Sequence, residues 1–490
     1  MLSEMKIVYN MQRGFFMQAV NLSTEPFETN KPAAARAISS QRQMVVIGAG
    51  VIGLVTACCL QQQGHQVLLL DGNGVGQGCS FGNAGHLATE QVFPLADPAL
   101  LPKLPGFLLD PLGPLAIRPR YFLKALPFFV RFINQMRAKK RSANMQALKQ
   151  LLQSAIPAWQ QLLAEAGCAH LIKTEGSLLV FEQTELAQVE LVAQSYAGQG
   201  VAVEVLTSAQ LQNRFPGLAG SIRYAIWFKD VGQTISPNLL NQALFQWFIS
   251  MGGQFLQQKV AKISSRSGLA VHLEPNQIAA ALQQSEAAPQ IIATEQLVVC
   301  AGVHSKSLLA QLGYKLPIEA ERGYHLMTSP TVQPQLPIAS FERKMIMTPM
   351  LEGLRLAGTV EFAGTELADN WQRAERLRLH GEALWPALFS EQHIKNTRSG
   401  KAVATATGAD TSSDGMKARP ANCWSGMRPT LPDSLPVISG CDIPGLWFHL
   451  GHQHLGLTMA ASSTRLLLKL MAKEPGSAQL AAPFSLKRFN

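Results

Sequence analysis

The chain has 490 residues, 47% hydrophobic and 15% charged, which excludes a disordered chain and points to two globular domains; no uninterrupted apolar run reaches the length of a membrane span. Its formal net charge of +10 raises nucleic-acid binding, but no basic stripe interleaved with stacking aromatics accompanies it, and that class is set aside. The seven cysteines (Cys58, Cys59, Cys79, Cys168, Cys300, Cys423 and Cys441) are scattered with no CxxC, as expected of reduced, mostly buried thiols in a cytoplasmic protein.

Residues 1–43 lack a hydrophobic period and read as a disordered N-terminal extension. Phe15-Phe16-Met17 is too short an apolar core for a secretory signal. The fold is expected to begin at Met44-Val45-Val46-Ile47, an apolar run suited to a buried parallel strand. Gly48-Ala49-Gly50-Val51-Ile52-Gly53 follows as a turn, residues 54–63 as a helix ended by Gly64, and Gln66-Val67-Leu68-Leu69-Leu70-Asp71 as a second strand tipped by an acid. In such a β-α-β unit Gly48 permits the tight turn, Gly50 lets backbone approach a pyrophosphate, and Gly53 brings helix and strand together. The helix N-terminus offers N–H groups and partial positive charge to phosphates, and Asp71 stands where an adenosine ribose would donate hydrogen bonds. The turn alone does not choose between NAD and FAD, since both carry an ADP half.

Residues 103–141 hold nine basic side chains, Lys103, Arg118, Arg120, Lys124, Arg131, Arg137, Lys139, Lys140 and Arg141, against the single acid Asp110. Phe107, Tyr121, Phe122, Phe128, Phe129 and Phe132 lie in the same stretch. An apolar aromatic face beside basic residues suits the surface of an anionic membrane; a helix docked on the protein with its basic side in water is the other reading. Further on, Gly176–Phe181 reads as a strand, 185–199 as a polar helix, and 237–251 as a helix opened by Ser236-Pro237 and closed by Gly252-Gly253. Residues 275–291, rich in Ala and Gln, read as an exposed insertion. Residues 296–302 form a buried strand ending in glycine, and pieces at 322–328, 345–349 and 354–360 suggest an antiparallel sheet.

Five blocks together resemble the D-amino-acid oxidase superfamily, most closely its bacterial FAD-dependent D-amino-acid dehydrogenase branch. Besides the glycine turn they are Gly78-Cys79-Ser80-Phe81-Gly82-Asn83-Ala84-Gly85-His86, Leu297-Val298-Val299-Cys300-Ala301-Gly302-Val303-His304-Ser305, Trp424-Ser425-Gly426-Met427-Arg428-Pro429 followed by Pro432-Asp433-Ser434-Leu435-Pro436-Val437-Ile438, and Gly451-His452-Gln453-His454-Leu455-Gly456-Leu457-Thr458. The likeness runs from residue 44 to about residue 472. It implies an α/β protein: a discontinuous Rossmann-like FAD-binding domain plus an α+β substrate domain with a mixed, largely antiparallel sheet. The FAD segments are expected at 44–140, 226–316 and 425–490, and the substrate segments at 141–225 and 317–424. The resemblance implies FAD contacts from Gly48, Gly50, Val51, Ile52, Gly53, Asp71, Gly72, Ser80, Asn83, Ala84, Gly85, Val260, Ala301, Gly302, Gly426, Gly456, Leu457 and Thr458. Gly426 aligns where sarcosine oxidases carry the cysteine that attaches flavin, with Cys423 out of register, so the FAD is expected to be noncovalent.

The resemblance also places Arg428 on the substrate carboxylate, where a guanidinium fork can bind two oxygens. Gly456-Leu457-Thr458 opens a helix whose N-terminus would stabilise negative charge at flavin N1 and the C2 oxygen. His86 and His454 are candidate active-site residues, and Tyr324, in Glu321-Arg322-Gly323-Tyr324-His325, is a candidate pocket residue. Similar Arg-Gly-Tyr sequences occur in relatives acting on D-proline or D-hydroxyproline. Met345-Ile346-Met347-Thr348-Pro349 lacks the carboxylate-binding tyrosine of glycine-oxidase-like relatives. His449, His452 and His454 have no nearby Cys or carboxylate at ligand spacing, so no metal is expected. The implied reaction is oxidative deamination of a D-amino acid by hydride transfer to flavin N5, achieved mainly by orientation. A quinone acceptor, with the protein peripheral on the inner face of the cytoplasmic membrane, stands beside two alternatives: a glycine- or sarcosine-like amine oxidase using O2, and a flavin-bearing subunit without turnover of its own.

Overall fold

The computed structural model describes residues 43–274, 291–330, 332–386 and 420–489; residues 1–42 and the insertion expected within 275–290 lie outside them. A six-stranded sheet forms in the order Gln254–Leu256, Gln66–Leu70, Gln43–Ile47, Gln296–Val299, Leu446–Leu450 and Val437–Gly440. All its pairs are parallel except the last. Its central strands are apolar without alternation because each face meets a different core. Met44, Val46, Val67, Leu69 and Val298 pack on one side with the helices Val51–Gln62, Pro237–Ser250 and Gly456–Met471. Val45, Ile47, Leu68, Leu70, Leu297 and Val299 pack on the other, against the antiparallel strands Val260–Ser264, Leu269–Leu273 and Ile291–Thr294. Ser236 caps its helix as its sequence suggests, its Oγ accepting from the Leu239 N–H at 3.2 Å, with Pro237 in the first turn.

The larger sheet has nine strands and is mixed but largely antiparallel, as expected. Glu319–Thr328 lies between Cys423–Thr430 and Gly353–Phe362, antiparallel to both. The sheet continues through Met345–Met350, Ile338–Ser340, Ser177–Phe181, Tyr224–Phe228 and Val203–Thr207, with Leu115–Ile117 added in parallel beside Gly353–Phe362. The segment limits expected at 225/226 and 424/425 fall inside two of these strands. Period-two alternation gives the sheet two unlike faces. Tyr324, Leu326, Leu354 and Leu356 face one apolar core. Glu321, Gly323 and His325 point the other way, and that second face carries the site.

Candidate active site

At the glycine turn, Gly48 has φ +101° and its N–H donates to the Leu70 carbonyl at 2.7 Å. A Cβ on Gly48 would stand 2.5 Å from the Cys300 carbonyl oxygen, and one on Gly53 would stand 1.8 Å from the Gly48 oxygen. Turn, helix and neighbouring strand approach this closely only without side chains. The helix Val51–Gln62 has Gly50 at its N-cap and no side-chain cap from it. Ser80 Oγ reaches in instead, accepting from the Val51 N–H at 2.8 Å, and Ile52 lies half-buried beside it. Asp71 ends the second strand with its carboxylate fixed, Oδ2 accepting from Ala49 N–H at 2.8 Å and Oδ1 from Asn73 N–H at 2.7 Å. Gly72 lies against Lys259, whose neighbour Val260 begins the antiparallel layer; a Cβ on Gly72 would come 3.0 Å from the Lys259 Cβ. Ala301 and Gly302 follow the parallel strand Gln296–Val299, and a Cβ on Gly302 would meet nothing within 4 Å. A glycine cradle, a helix N-terminus and an acid on the next strand together fit the adenylate and pyrophosphate of FAD.

The loop Ser80–Gly85 runs from that cradle to the larger sheet. Asn83 Oδ1 accepts from the Gly85 N–H at 2.8 Å, and Gly85 adopts φ +74°, bringing its carbonyl to the Thr234 N–H at 2.8 Å. Trp424 forms a wall between glycines: a Cβ on Gly82 or on Gly426 would each come 2.0 Å from its ring. His325 stacks on that indole, with centroids 5.2 Å apart, and its Nδ1 is 3.1 Å from the Gly82 carbonyl.

Arg428 lies on the strand Cys423–Thr430 opposite Glu321 in the register. Its Nη1 donates to Glu321 Oε1 at 2.9 Å, and Thr430 Oγ1 donates to Oε2 at 2.8 Å. The guanidinium crosses above Gly323, where a Cβ would come 2.4 Å from Nη2. Arg428 is a quarter exposed whereas Glu321 is almost fully enclosed, so the acid fixes the cation and the cation keeps an open side. Cys79, with its thiol against the Met427 carbonyl, is pushed up to about 12 by burial, Arg428 acting downward and Glu321 upward. His454 feels the same pair: burial pulls it down to about 4, Glu321 raises it and Arg428 lowers it. The imidazole beside Arg428 is therefore neutral near pH 7.

The helix Gly456–Met471 begins here with no side-chain cap, and a Cβ on Gly456 would find only His452 Cβ, 3.6 Å away. Leu457 and Thr458 are held from behind: the Leu457 carbonyl accepts from Trp159 Nε1 at 2.9 Å, and Thr458 Oγ1 from the Ala88 N–H at 2.9 Å. The open side of this helix end fits the flavin ring. His449 and His452 are structural. His449 joins Thr56 Oγ1 at 2.9 Å to Ser463 Oγ at 2.8 Å, and His452 reaches Ser463 at 3.1 Å, clamping the two glycine-opened helices together.

Two candidates stand apart from the Arg428 cluster. Tyr324 is turned into the opposite core, because residues 322 and 324 alternate against 321 and 323. Its hydroxyl donates to Glu361 at 2.6 Å and accepts from the Asn370 N–H at 3.0 Å, within a buried network that includes Arg322. The expectation that Tyr324 lines the pocket is corrected accordingly. His86 sits in a small sheet beside Gln233, with Nε2 3.8 Å from the buried Glu90 carboxylate. Glu321, His325, Trp424 and Arg355 are site-face residues that sequence reading did not single out. Among the described residues no group of three or more His, Cys, Asp or Glu side chains is arranged to hold a metal ion.

A nucleotide cradle on a largely parallel sheet, joined to a cation on a largely antiparallel one, marks a dinucleotide-dependent oxidoreductase. Residues 43–470 match the family model described as FAD dependent oxidoreductase, and the chain belongs to that family. Its cofactor is FAD. The chain is 32% identical over 458 residues to a D-amino-acid oxidase of Bradyrhizobium diazoefficiens, covering 91% of this chain and 99% of that one. It is 28% identical to D-amino acid dehydrogenase 2 of Ralstonia nicotianae, covering 91% and 100%. Among solved structures, glycine oxidase from Geobacillus kaustophilus matches with a TM-score of 0.63 at 20% identity, covering 91% and 98%.

Proposed function

We propose that this enzyme oxidises D-amino acids at the Cα–N bond, with Arg428 holding the substrate carboxylate. The observation that carries the reading is the Arg428–Glu321 pair: a buried acid fixes a guanidinium that stays a quarter exposed, on the strand next to the Ser80–Gly85 loop and the open helix end at Gly456. Bound FAD supplies the two-electron acceptor. The protein's own groups orient: Arg428 fixes the carboxylate, Trp424 and the glycines facing it shape the wall, and the Gly456 helix N-terminus would lend partial positive charge to a ring held there. Neutral His454 offers a hydrogen bond without adding a second positive charge. The FAD is noncovalent in this reading; Cys423 is buried, with its thiol 3.7 Å from Asn422 Oδ1. With Tyr324 turned away, the site carries the D-amino-acid class rather than a preference for D-proline or D-hydroxyproline.

For the acceptor we propose a quinone, with the protein peripheral on an anionic membrane. No helix among the described residues is long and apolar enough to cross a membrane. The helix Phe122–Gln135 instead anchors through Ala125 and Phe128 and leaves a stripe of Phe122, Leu126, Val130 and Ile133 outward, with Leu123 77% and Val130 61% exposed. Lys124, Arg131 and Arg137 are exposed beside that stripe. Dye reduction and oxygen uptake, measured side by side with D-amino acids, L-isomers, glycine and sarcosine, test the proposal. D-specific reduction of a quinone analogue with little oxygen uptake is expected. Fast oxygen uptake would make it an oxidase; turnover of glycine or sarcosine alone would overturn the substrate class.

A further inference from the structure

We propose that Arg355 is a positioning residue that holds the Ser80–Gly85 loop in place and lends that side of the flavin a positive charge, raising its affinity for electrons. The inference rests on the reading that this loop lies along the flavin ring. Arg355 stands near the start of the strand Gly353–Phe362, between Leu354 and Leu356, which face the apolar core. Alternation sends Arg355 to the opposite face, where it is 5% exposed. There its Nη1 donates to the Asn83 carbonyl at 2.5 Å and the Phe81 carbonyl at 3.2 Å, while Nε lies 3.2 Å from Met327 Sδ. One guanidinium nitrogen thus bridges two carbonyls that flank Gly82.

A neutral side chain could supply such a bridge at lower desolvation cost. Among the described residues no carboxylate lies within ion-pair distance of Arg355; Glu352, which acts on it from farther away, accepts at Oε1 from the Ser236 hydroxyl. Burial pulls the guanidinium down to about 10, against the raising effect of Glu352, and leaves it protonated at neutral pH. A buried cation without a close counter-charge, bonded to the carbonyls of a cofactor loop, is costly unless negative charge comes to it. Flavin gains negative charge on reduction. In a site of low effective dielectric, a fixed charge of opposite sign stabilises that state strongly.

The test uses the FAD-loaded full chain and two readouts independent of turnover: the affinity of the bound flavin for sulfite, which adds negative charge at N5, and the flavin midpoint potential. Arg355→Met keeps the side chain's bulk and removes its charge. It is expected to weaken sulfite binding at least tenfold, with a matching fall in potential of roughly 30 mV for a two-electron couple. Arg355→Lys keeps the charge and loses the fork, so sulfite affinity stays within about threefold of the parent while FAD dissociates faster, about a tenfold effect for one lost charge-assisted bond. Unchanged sulfite affinity and potential in the Met variant would overturn the inference. If that variant does not retain flavin, a tenfold loss of sulfite affinity in the Lys variant would overturn it equally. Ala84→Leu reports on the underlying reading by itself. An unaltered flavin spectrum there would remove the loop from the ring; an altered spectrum together with an indifferent Arg355→Met would sink only the role given to Arg355.

Discussion

Arg428→Ala removes the proposed carboxylate anchor, and its consequences divide into two measurable parts. One charge-assisted hydrogen bond contributes about 1.5–3 kcal/mol, and a bidentate contact makes two. Arg428 is a quarter exposed and already spends one Nη1 hydrogen bond on Glu321, so the lower end applies to each of the two bonds, together about 3 kcal/mol, on the order of a hundredfold in substrate affinity. Separately, Glu321 loses its cation but keeps the Thr430 hydroxyl, a stability cost of about 1–3 kcal/mol. Stopped-flow reduction of the bound flavin under anaerobic conditions reads the first part as a dissociation constant. Thermal unfolding with FAD retained reads the second. Arg428→Lys keeps the charge that holds Glu321 and loses the fork, so it should recover the stability while remaining about tenfold weak for substrate. The reasoning is refuted if the Ala variant loses stability and binds D-amino acids as tightly as the parent, since the guanidinium would then serve only Glu321.

Gly53→Ala places a Cβ 1.8 Å from the Gly48 carbonyl oxygen, so helix and turn must separate; an overpacking cost of about 1–3 kcal/mol predicts FAD binding weakened roughly 5- to 150-fold in fluorescence titration. Burial holds His452 down at about 3 and His454 down at about 4, both below the usual histidine value. The unfolded chain therefore takes up protons first, and stability present above about pH 6.5 is lost as pH falls toward 4, by at most about 1.4 kcal/mol per pH unit for each histidine. Thermal midpoints measured from pH 8 to pH 4 check this, and an Asn at position 452 should flatten part of the slope. Replacing Leu123 and Val130 together by Asp should abolish sedimentation with anionic vesicles and leave reduction of a water-soluble dye unchanged.

The β-α-β unit was readable because phosphate binding restricts its turn to glycine, and because a strand buried on both faces is apolar without alternation. Asp71 and Ser80 came from two neighbouring blocks, and they meet at the nucleotide turn, Asp71 on the Ala49 N–H and Ser80 on the Val51 N–H that opens the helix. Tyr324 shows where reading stopped. That residues 322–328 lie in a strand was legible, but which of its faces carries the site depends on the register with Cys423–Thr430, which pairs Glu321 with Arg428. Glu321 was in view as part of its motif, yet its bond to Arg428 crosses more than a hundred residues. Arg355 had a local signal: a cation flanked by Gly353-Leu354 and Leu356-Ala357 is out of place unless it faces a polar partner. Its partners, the carbonyls of Phe81 and Asn83, lie in another part of the sequence. The histidines of residues 449–454 separate only in three dimensions, two into a clamp between helices and one beside Arg428.

The most direct measurement is the flavin absorbance of the purified protein, followed anaerobically while a panel of D-amino acids, including D-proline and cis-4-hydroxy-D-proline, is added, with L-isomers and glycine as controls. The account predicts rapid bleaching by D-isomers and none by L-isomers at equal concentration. A bound flavin that no D-isomer bleaches would contradict it, whatever the other compounds do.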